Sequence, residues 1–247
     1  VKSMETQIDY ALSGGLDFWA FDWYYPEKSD EEFIPAKEAL LQLSENGFIK
    51  SKNSDESYYR EPNYALERFF AAKNSEKLKF CLLVANHDGH HGSWMLTDKR
   101  WNDACEYFLH YMSKPNALKV DGKPLIIIFN TDILVRTMGG EENVGKGIEY
   151  LHDKCVKSGL GGCVVAAAFP AFRNPDCSID EKPDRWKTYS EKLQKLGFDA
   201  VTGYNYSRHF CLDKNGSKFY EYPFDNLCAD YEKVWELMAE NSVLPYM

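Results

Sequence analysis

The fold is decided by a short apolar segment, PLIIIF at residues 124–129, which reads as a buried strand. A strand this uniformly apolar is typical of a parallel sheet that helices cover on both faces, since an antiparallel strand with one wet face alternates apolar and polar residues. The sequence before it, around residues 101–112, and after it, around residues 144–155, has apolar residues at helical spacing. The centre of the chain is therefore predicted to be a helix–strand–helix repeat.

The same alternation extends outward in both directions. An all-α or all-β fold is excluded, because strands alternate with helices along the whole chain. Strands are predicted at residues 16–25, 80–85, 124–129, 163–168, 200–204 and 243–246, and helices near residues 3–13, 31–44, 62–74, 101–112, 144–155, 189–196 and 227–238.

Two α/β architectures fit this order. The more economical is a single domain over residues 1–247 that forms a (β/α)8 TIM-barrel-like fold missing its first strand and its last strand–helix unit. A six-stranded doubly wound sheet is the alternative. No G-x-G-x-x-G or Walker-type glycine loop follows any predicted strand, so the usual phosphate-binding turns are absent from the sequence.

Composition narrows the class of partner. With 29 Lys and Arg against 38 Asp and Glu, the net charge is −9, which argues against nucleic acid or an anionic membrane surface as a partner. No apolar run approaches the roughly 18 residues of a membrane-spanning helix. Aromatic residues make up 15% of the chain, enough to fill a core or to line a platform for flat ligands such as sugars. The seven cysteines lack zinc-site spacing and are expected to be mostly buried thiols.

Polar and aromatic residues lie at the carboxyl ends of the predicted strands or directly after them. In a parallel barrel the carboxyl ends of the strands meet at one face, where such side chains converge on a cleft. A sugar has both a belt of hydroxyls and an apolar C–H face, so this mixture is typical of carbohydrate recognition. The candidate residues are Asp22, Trp23, Tyr24, Tyr25, Asn86, His87, Asp88, Trp94, Asn130, Asp132, Tyr204 and Asn205.

Asp22 is the first candidate for acid–base or hydroxyl-binding chemistry. It lies within an aromatic run, where desolvation is expected to raise its pKa. The alternative is a local bond to backbone or to a neighbouring arginine. The segment NHDGHH at residues 86–91 resembles a metal-binding set in composition, but its spacing matches no zinc signature. Asn86 and His87 are therefore interpreted as hydrogen-bonding or acid–base groups, with no metal and no cofactor expected.

Three segments carry a resemblance to a known family. They are GGLDFWAFDWYY at residues 14–25, KFCLLVANH at residues 79–87 and PNALKVDGKP at residues 115–124. In this order they resemble the "GIDGFxFDWYW", "KFxLxWANxxW" and "PNYLKVDGKPY" motifs of WbsX-like and endo-α-mannosidase-like barrels, near glycoside hydrolase family 99. Where many of those sequences have Glu after "WAN", this chain has His87, followed by Asp88.

The resemblance implies a barrel that acts on a glycan or polysaccharide without a cofactor, with the endo-acting hydrolysis of α-mannoside-type linkages seen in the family's better-known members as the expected activity. Asp22, His87 and Asp88 would then be the catalytic candidates, and the remaining strand-end residues would bind substrate. The alternative is a non-catalytic glycan-binding or polysaccharide-assembly module on the same barrel. The family resemblance slightly favours a secreted, periplasmic or cell-surface location, whereas sugar, linkage and oligomeric state are not predicted.

Overall fold

The structure, a computed structural model, describes residues 1–25, 34–46, 63–87, 96–174, 178–204 and 223–247. It contains two compact units, Val1–Val165 and Ala166–Met247, and the boundary between them falls within a strand. Both units alternate helices with parallel strands, as the sequence predicts.

The first unit contains most of the predicted repeats. Its helices are α1 (Lys2–Ser13), α2 (Ala36–Asn46), α3 (Tyr64–Phe70), α4 (Asp98–Met112), α5 (Thr131–Thr137) and α6 (Glu141–Lys157), with a short 3-10 helix at Ser75–Lys77. Its strands are β1 (Phe18–Trp23), β2 (Lys79–Val84), β3 (Lys119–Val120) and β4 (Lys123–Ile128), and β5 (Val164–Ala168) begins in this unit and continues into the next.

Strand β2 lies between β1 and β4, and both of its pairings are parallel. Phe18 pairs with Lys79 and Trp23 with Val84, so β1 and β2 run side by side over their whole length. Leu83 pairs with Ile127 in β4. This register brings the carboxyl ends of β1, β2 and β4 to the same edge of the sheet.

A tight hairpin joins β3 to β4 and accounts for one of the sequence motifs. The two strands pair antiparallel, with Lys119 opposite Pro124 and Val120 opposite Lys123. Asp121 and Gly122 form the turn, with φ values of +49° and +79°. Asp-Gly is the favoured pair for a two-residue turn in which both residues have positive φ. The LKVDGKP segment is therefore a structural hairpin leading into the central strand.

The strands differ in how much of their surface is buried. After its first residue β2 is buried throughout, and so is β4, as a sheet covered on both faces requires. In β1 burial alternates instead, with Phe21 and Trp23 buried and Ala20 and Asp22 exposed. The buried side packs on helices, since the Phe21 ring contacts Phe69 of α3. The dense aromatic run at residues 16–25 predicts a mostly buried strand, whereas one face of β1 is covered and the other is exposed.

The second unit repeats the same order on a smaller scale. Its helices are α7 (Pro183–Lys195) and α8 (Phe224–Asn241), and β6 (Ala200–Thr202) pairs parallel with β5. The strand predicted at residues 243–246 is reduced to a single parallel bridge between Val201 and Tyr246. An ion pair between Arg173 and Asp230, 3.1 Å long, lies mostly buried in this unit.

The α/β class with parallel strands is thus confirmed, whereas closure into a barrel stays a prediction. Helix α5 was not predicted, because its seven residues are too short to show a helical period. Of the helices in the described ranges, none has the length and apolar character needed to cross a membrane.

Candidate functional site

Asp22 and Tyr24 lie at the carboxyl end of β1, on the opposite side from its buried aromatic residues. Successive side chains of a strand point to opposite faces. Residues 19, 21, 23 and 25 therefore share the covered face, and Asp22 and Tyr24 share the other. Asp22 pairs in register with Leu83, which is the residue before the last one of β2. The carboxylate is thus delivered beside the residues that follow β2.

His87 brings the strand ends together. Its imidazole stacks on the Tyr24 ring, with centroids 5.8 Å apart and planes inclined by 16°. On β4's side it contacts Phe129, with centroids 5.2 Å apart and an angle of 51°. His87 and Tyr24 are both half-buried, so each has part of its ring accessible. The imidazole that follows β2 therefore contacts one ring from the end of β1 and one from the end of β4.

The electrostatics of this cluster centre on Asp22. Desolvation by the surrounding side chains raises the pKa of its carboxyl group, and the positive charge of His87 partly offsets that rise. The direction of the shift agrees with the sequence prediction. A carboxyl group whose pKa is raised holds its proton closer to neutral pH, which is what a general acid requires. The pair can exchange a proton with a bound hydroxyl or with the oxygen of a leaving group.

Asn86 is not placed to bind a ligand as predicted, because its side chain is only 1% exposed. Its amide Nδ2 donates to the Asn130 carbonyl at 2.7 Å, and its Oδ1 accepts from the Asn130 backbone N–H at 3.0 Å. The side chain of Asn130 caps α5 by accepting from the Ile133 N–H at 2.9 Å. Both asparagines therefore join the end of β2 to the start of α5. We define these two hydrogen bonds between Asn86 and Asn130 as the asparagine clamp.

Trp23 and Tyr25 also depart from their predicted role as stacking residues for a sugar. Each is 1% exposed. The Trp23 ring packs against Phe108 of α4 with centroids 4.8 Å apart, and the Tyr25 hydroxyl donates to Asp103 Oδ2 at 3.0 Å. The alternation of β1 puts both on the helix-facing side, so they belong to the core. Of the three aromatic residues in this run, Tyr24 alone lies on the Asp22 face.

Sequence reasoning missed Asn63, which positions Tyr24. Its Oδ1 accepts from the Tyr24 N–H at 3.0 Å and its Nδ2 donates to the Tyr24 carbonyl at 2.8 Å. Asn63 precedes α3, where an asparagine usually caps the helix, but it makes no side-chain cap there. No local pattern signals a contact across 39 residues. Phe129 was recognised only as part of a strand, although its place directly after Ile128 puts it at the strand end.

Two of the remaining candidates lie on other elements. Asp132 is exposed in the first turn of α5. Tyr204, 47% exposed, follows β6 in the second unit. Asp88, Trp94 and Asn205 lie outside the described residues, so their predicted roles stay predictions.

Within the ranges that the structure covers, no group of three or more His, Cys, Asp or Glu side chains is arranged to hold a metal ion. Compared with known proteins, the chain matches no protein-family model and no curated protein sequence. Fold and geometry together define an α/β protein with a carboxylate–imidazole cluster at the carboxyl ends of its parallel strands.

Proposed function

We propose that this chain acts on a glycan, as a glycoside hydrolase-like protein in which Asp22 is an acid–base or hydroxyl-binding group. The observation that carries the proposal is the Asp22 carboxyl, with its raised pKa, beside His87 at the carboxyl end of parallel strands. Ligands of parallel α/β folds bind at this edge. The finer architecture, a (β/α)8 barrel lacking its first strand and last strand–helix unit, is part of the same proposal.

The side chains suit a sugar better than a flat anionic ligand. Asp22 brings negative charge, and its oxygens accept hydrogen bonds from hydroxyl groups. Tyr24 and Phe129 offer partly exposed ring surface within contact of His87, for the apolar face of a pyranose. The three sequence motifs that resemble endo-α-mannosidase-like barrels support the same substrate class, and two of them contain Asp22 and His87.

Hydrolysis of a glycosidic bond ordinarily uses two carboxyl groups, one on each side of the bond. Asp22 would be one of them. Asp88, directly after His87 in sequence, is our candidate for the second and lies outside the described residues. In this scheme the neutral Asp22 carboxyl donates its proton to the leaving oxygen, and His87 stabilises the resulting carboxylate.

The test is incubation with mannose-, galactose- and glucose-containing oligosaccharides, with released reducing ends and binding measured on the same samples. We expect product from the wild type and a loss of at least about a hundredfold in Asp22→Asn, the usual scale for a general acid. Asp17→Asn is the matched control, because Asp17 is an exposed aspartate one residue before the same strand begins. Equal turnover in Asp22→Asn and wild type would overturn the assignment of Asp22.

A second function, glycan binding without cleavage, is favoured by one observation. Among the described residues, the charge of His87 acts on the carboxyl group of Asp22, and a hydrolase ordinarily needs a second carboxyl group beside it. If the array detects binding and no released ends, and binding weakens in Tyr24→Ala, the chain is a binding or polysaccharide-assembly module. Neither binding nor cleavage on the array would reject both functions.

A further inference from the structure

A second cluster of reactive side chains is formed where α6 ends and β5 approaches. His152 and Cys155 lie on the last turns of α6, and Cys163 directly precedes β5. The Cys163 sulfur is 3.6 Å from His152 Nδ1, and its thiol is hydrogen-bonded to Cys155. The two cysteines are 1% or less exposed, and His152 is half-buried. None of these residues takes part in the Asp22 site described above.

The environment favours the thiolate of Cys155. The hydrogen bond from Cys163 lowers the pKa of Cys155 although burial opposes it, and the positive charges of His152 and Lys154 act in the same direction as the hydrogen bond. Lys154 is held in place by Glu106, with Nζ and Oε1 2.7 Å apart. The pKa of a thiol in apolar surroundings is normally raised instead.

Two other cysteines of the same unit show that contrast. Burial raises the pKa of Cys81 to about 12 and also raises that of Cys105, which lies on α4. Both are as well buried as Cys155. The Cys163 hydrogen bond and the charge of His152 lower the pKa of Cys155 and do not act on Cys81 or Cys105, whereas the charge of Lys154 lowers the pKa of Cys105 as well.

The three groups can form a hydrogen-bond relay. With a proton on His152 Nδ1, the imidazole donates to the Cys163 sulfur, and the Cys163 thiol donates to the Cys155 sulfur. The segment between the cysteines is short and permissive, since Gly159, Gly161 and Gly162 all have positive φ. Most of residues 156–161 are exposed, so a local opening of this turn admits a small oxidant.

We propose that Cys155 and Cys163 are a peroxide-sensitive pair that closes to an intrachain disulfide. The Cys155 thiolate attacks one oxygen of hydrogen peroxide, the O–O bond breaks, and Cys155 becomes a sulfenic acid while hydroxide leaves and takes up a proton. Cys163 then attacks the Cys155 sulfur, and its proton passes to the departing hydroxide. The S–S bond forms, the S–O bond breaks, and water leaves. Two thiols supply the two electrons that reduce one peroxide to two waters.

The experiment is mild peroxide oxidation of the folded protein, followed by alkylation of the remaining thiols, digestion without reductant and mass spectrometry. We expect a peptide pair linked through Cys155 and Cys163, about 2 Da lighter than the two reduced peptides together because two hydrogens are lost. Dithiothreitol should restore both thiols. Cys105 should remain available to alkylation after unfolding, and Cys105→Ser should leave the yield of the link unchanged.

Two variants separate the relay from simple proximity. In Cys163→Ser, dimedone should trap Cys155 as a sulfenic acid, because no thiol is left to resolve it. In His152→Gln, whose altered side chain is half-buried, formation of the link should slow by roughly fivefold or more, since thiolate fraction controls the rate. A Cys155 that stays reduced while added glutathione is fully oxidised, or that links to another cysteine, would overturn the proposal. Glycan assays on the reduced protein are independent of either result.

Discussion

The Tyr24 ring lies stacked on the imidazole of His87, with 5.8 Å between centroids, and two hydrogen bonds join the backbone of Tyr24 to the side chain of Asn63. The end of β1 is therefore tied both to the residues after β2 and to the start of α3. Because Asp22 lies two residues before Tyr24 on the same face of β1, the contacts that hold Tyr24 also fix the strand end that carries the carboxylate.

Replacing Asn63 should loosen this arrangement. We expect Asn63→Ala to lower the free energy of unfolding by about 1–2 kcal/mol, because both of its hydrogen bonds to the Tyr24 backbone are lost. The ring-current shift that Tyr24 imposes on the His87 ring protons should shrink, which NMR detects. Asn63→Asp is the matched control, since it keeps the acceptor for the Tyr24 N–H. Unchanged His87 resonances in Asn63→Ala would show that Asn63 does not position the ring.

The asparagine clamp should contribute more to the free energy of unfolding than the helix cap that Asn130 makes on α5. Asn86→Ala leaves the Asn130 N–H without its acceptor, while the Asn130 carbonyl keeps its bond from the Leu134 N–H, and we expect a loss of about 2 kcal/mol in urea unfolding. Asn130→Ala keeps those backbone groups and removes only the cap on Ile133, so its cost should be about 1 kcal/mol. The reverse order of the two losses would contradict the clamp.

Trp23 and Tyr24 are neighbours in sequence but should behave differently when truncated. Trp23→Ala removes a buried ring from the packing between β1 and α4 and should cost about 3–5 kcal/mol of stability. Tyr24→Ala should cost about 1.5 kcal/mol or less, because the ring is half-buried, while weakening glycan affinity under the proposed function. Thermal unfolding and glycan binding measured on both variants decide this. A Tyr24→Ala protein that binds normally would remove Tyr24 from the proposed site.

The raised pKa of Asp22 predicts that Asp22→Asn increases the free energy of unfolding by an amount that depends on pH. The folded-state pKa lies above the ordinary value of 3.8, so the contribution of Asp22 to stability is largest below pH 3.8 and is lost as the pH rises through the folded-state pKa. At neutral pH the variant should therefore be more stable than wild type, by about 0.5 kcal/mol or less, since the side chain is exposed and screened. At low pH the difference should vanish.

Measuring the effect of Asp22→Asn in a His87→Gln protein checks the cause of that pH dependence. The positive charge of His87 opposes the rise in the Asp22 pKa, so removing it in His87→Gln should enlarge the stability gain from Asp22→Asn. Urea unfolding across the pH range measures both differences. A gain that is the same at every pH, in either background, would show that desolvation does not act on the ionisation of Asp22.

Local signals predicted most of the elements. The apolar runs at β2 and β4 and the spaced apolar residues of α4 and α6 were recognisable, because burial on a parallel sheet imposes its own composition and period. The strand predicted at 243–246 has the right composition but forms one bridge to β6. Composition indicates the tendency to extend, whereas pairing depends on a neighbour that the local sequence does not contain.

The candidate site was predictable only in part. The sequence indicated that Asp22 lies near the end of a strand, that His87 follows one, and that the pKa of Asp22 would be raised. It did not distinguish the roles of Trp23, Tyr24 and Tyr25, since three adjacent aromatic residues do not reveal which face of the strand will be covered. The sequence also did not reveal the role of Asn86. A polar residue at a strand end can point to solvent and bind a ligand, or it can join two elements by hydrogen bonds.

The sequence alone therefore determined the α/β class, the order of strands and helices, and the strand ends at which chemistry is expected, because period and composition are local properties. The tertiary structure decided which face of β1 is covered, that Asn63 reaches Tyr24 across 39 residues, and that His87 lies between Tyr24 and Phe129. These relationships depend on strand register and helix packing. Both join residues distant in sequence, and no local pattern specifies them.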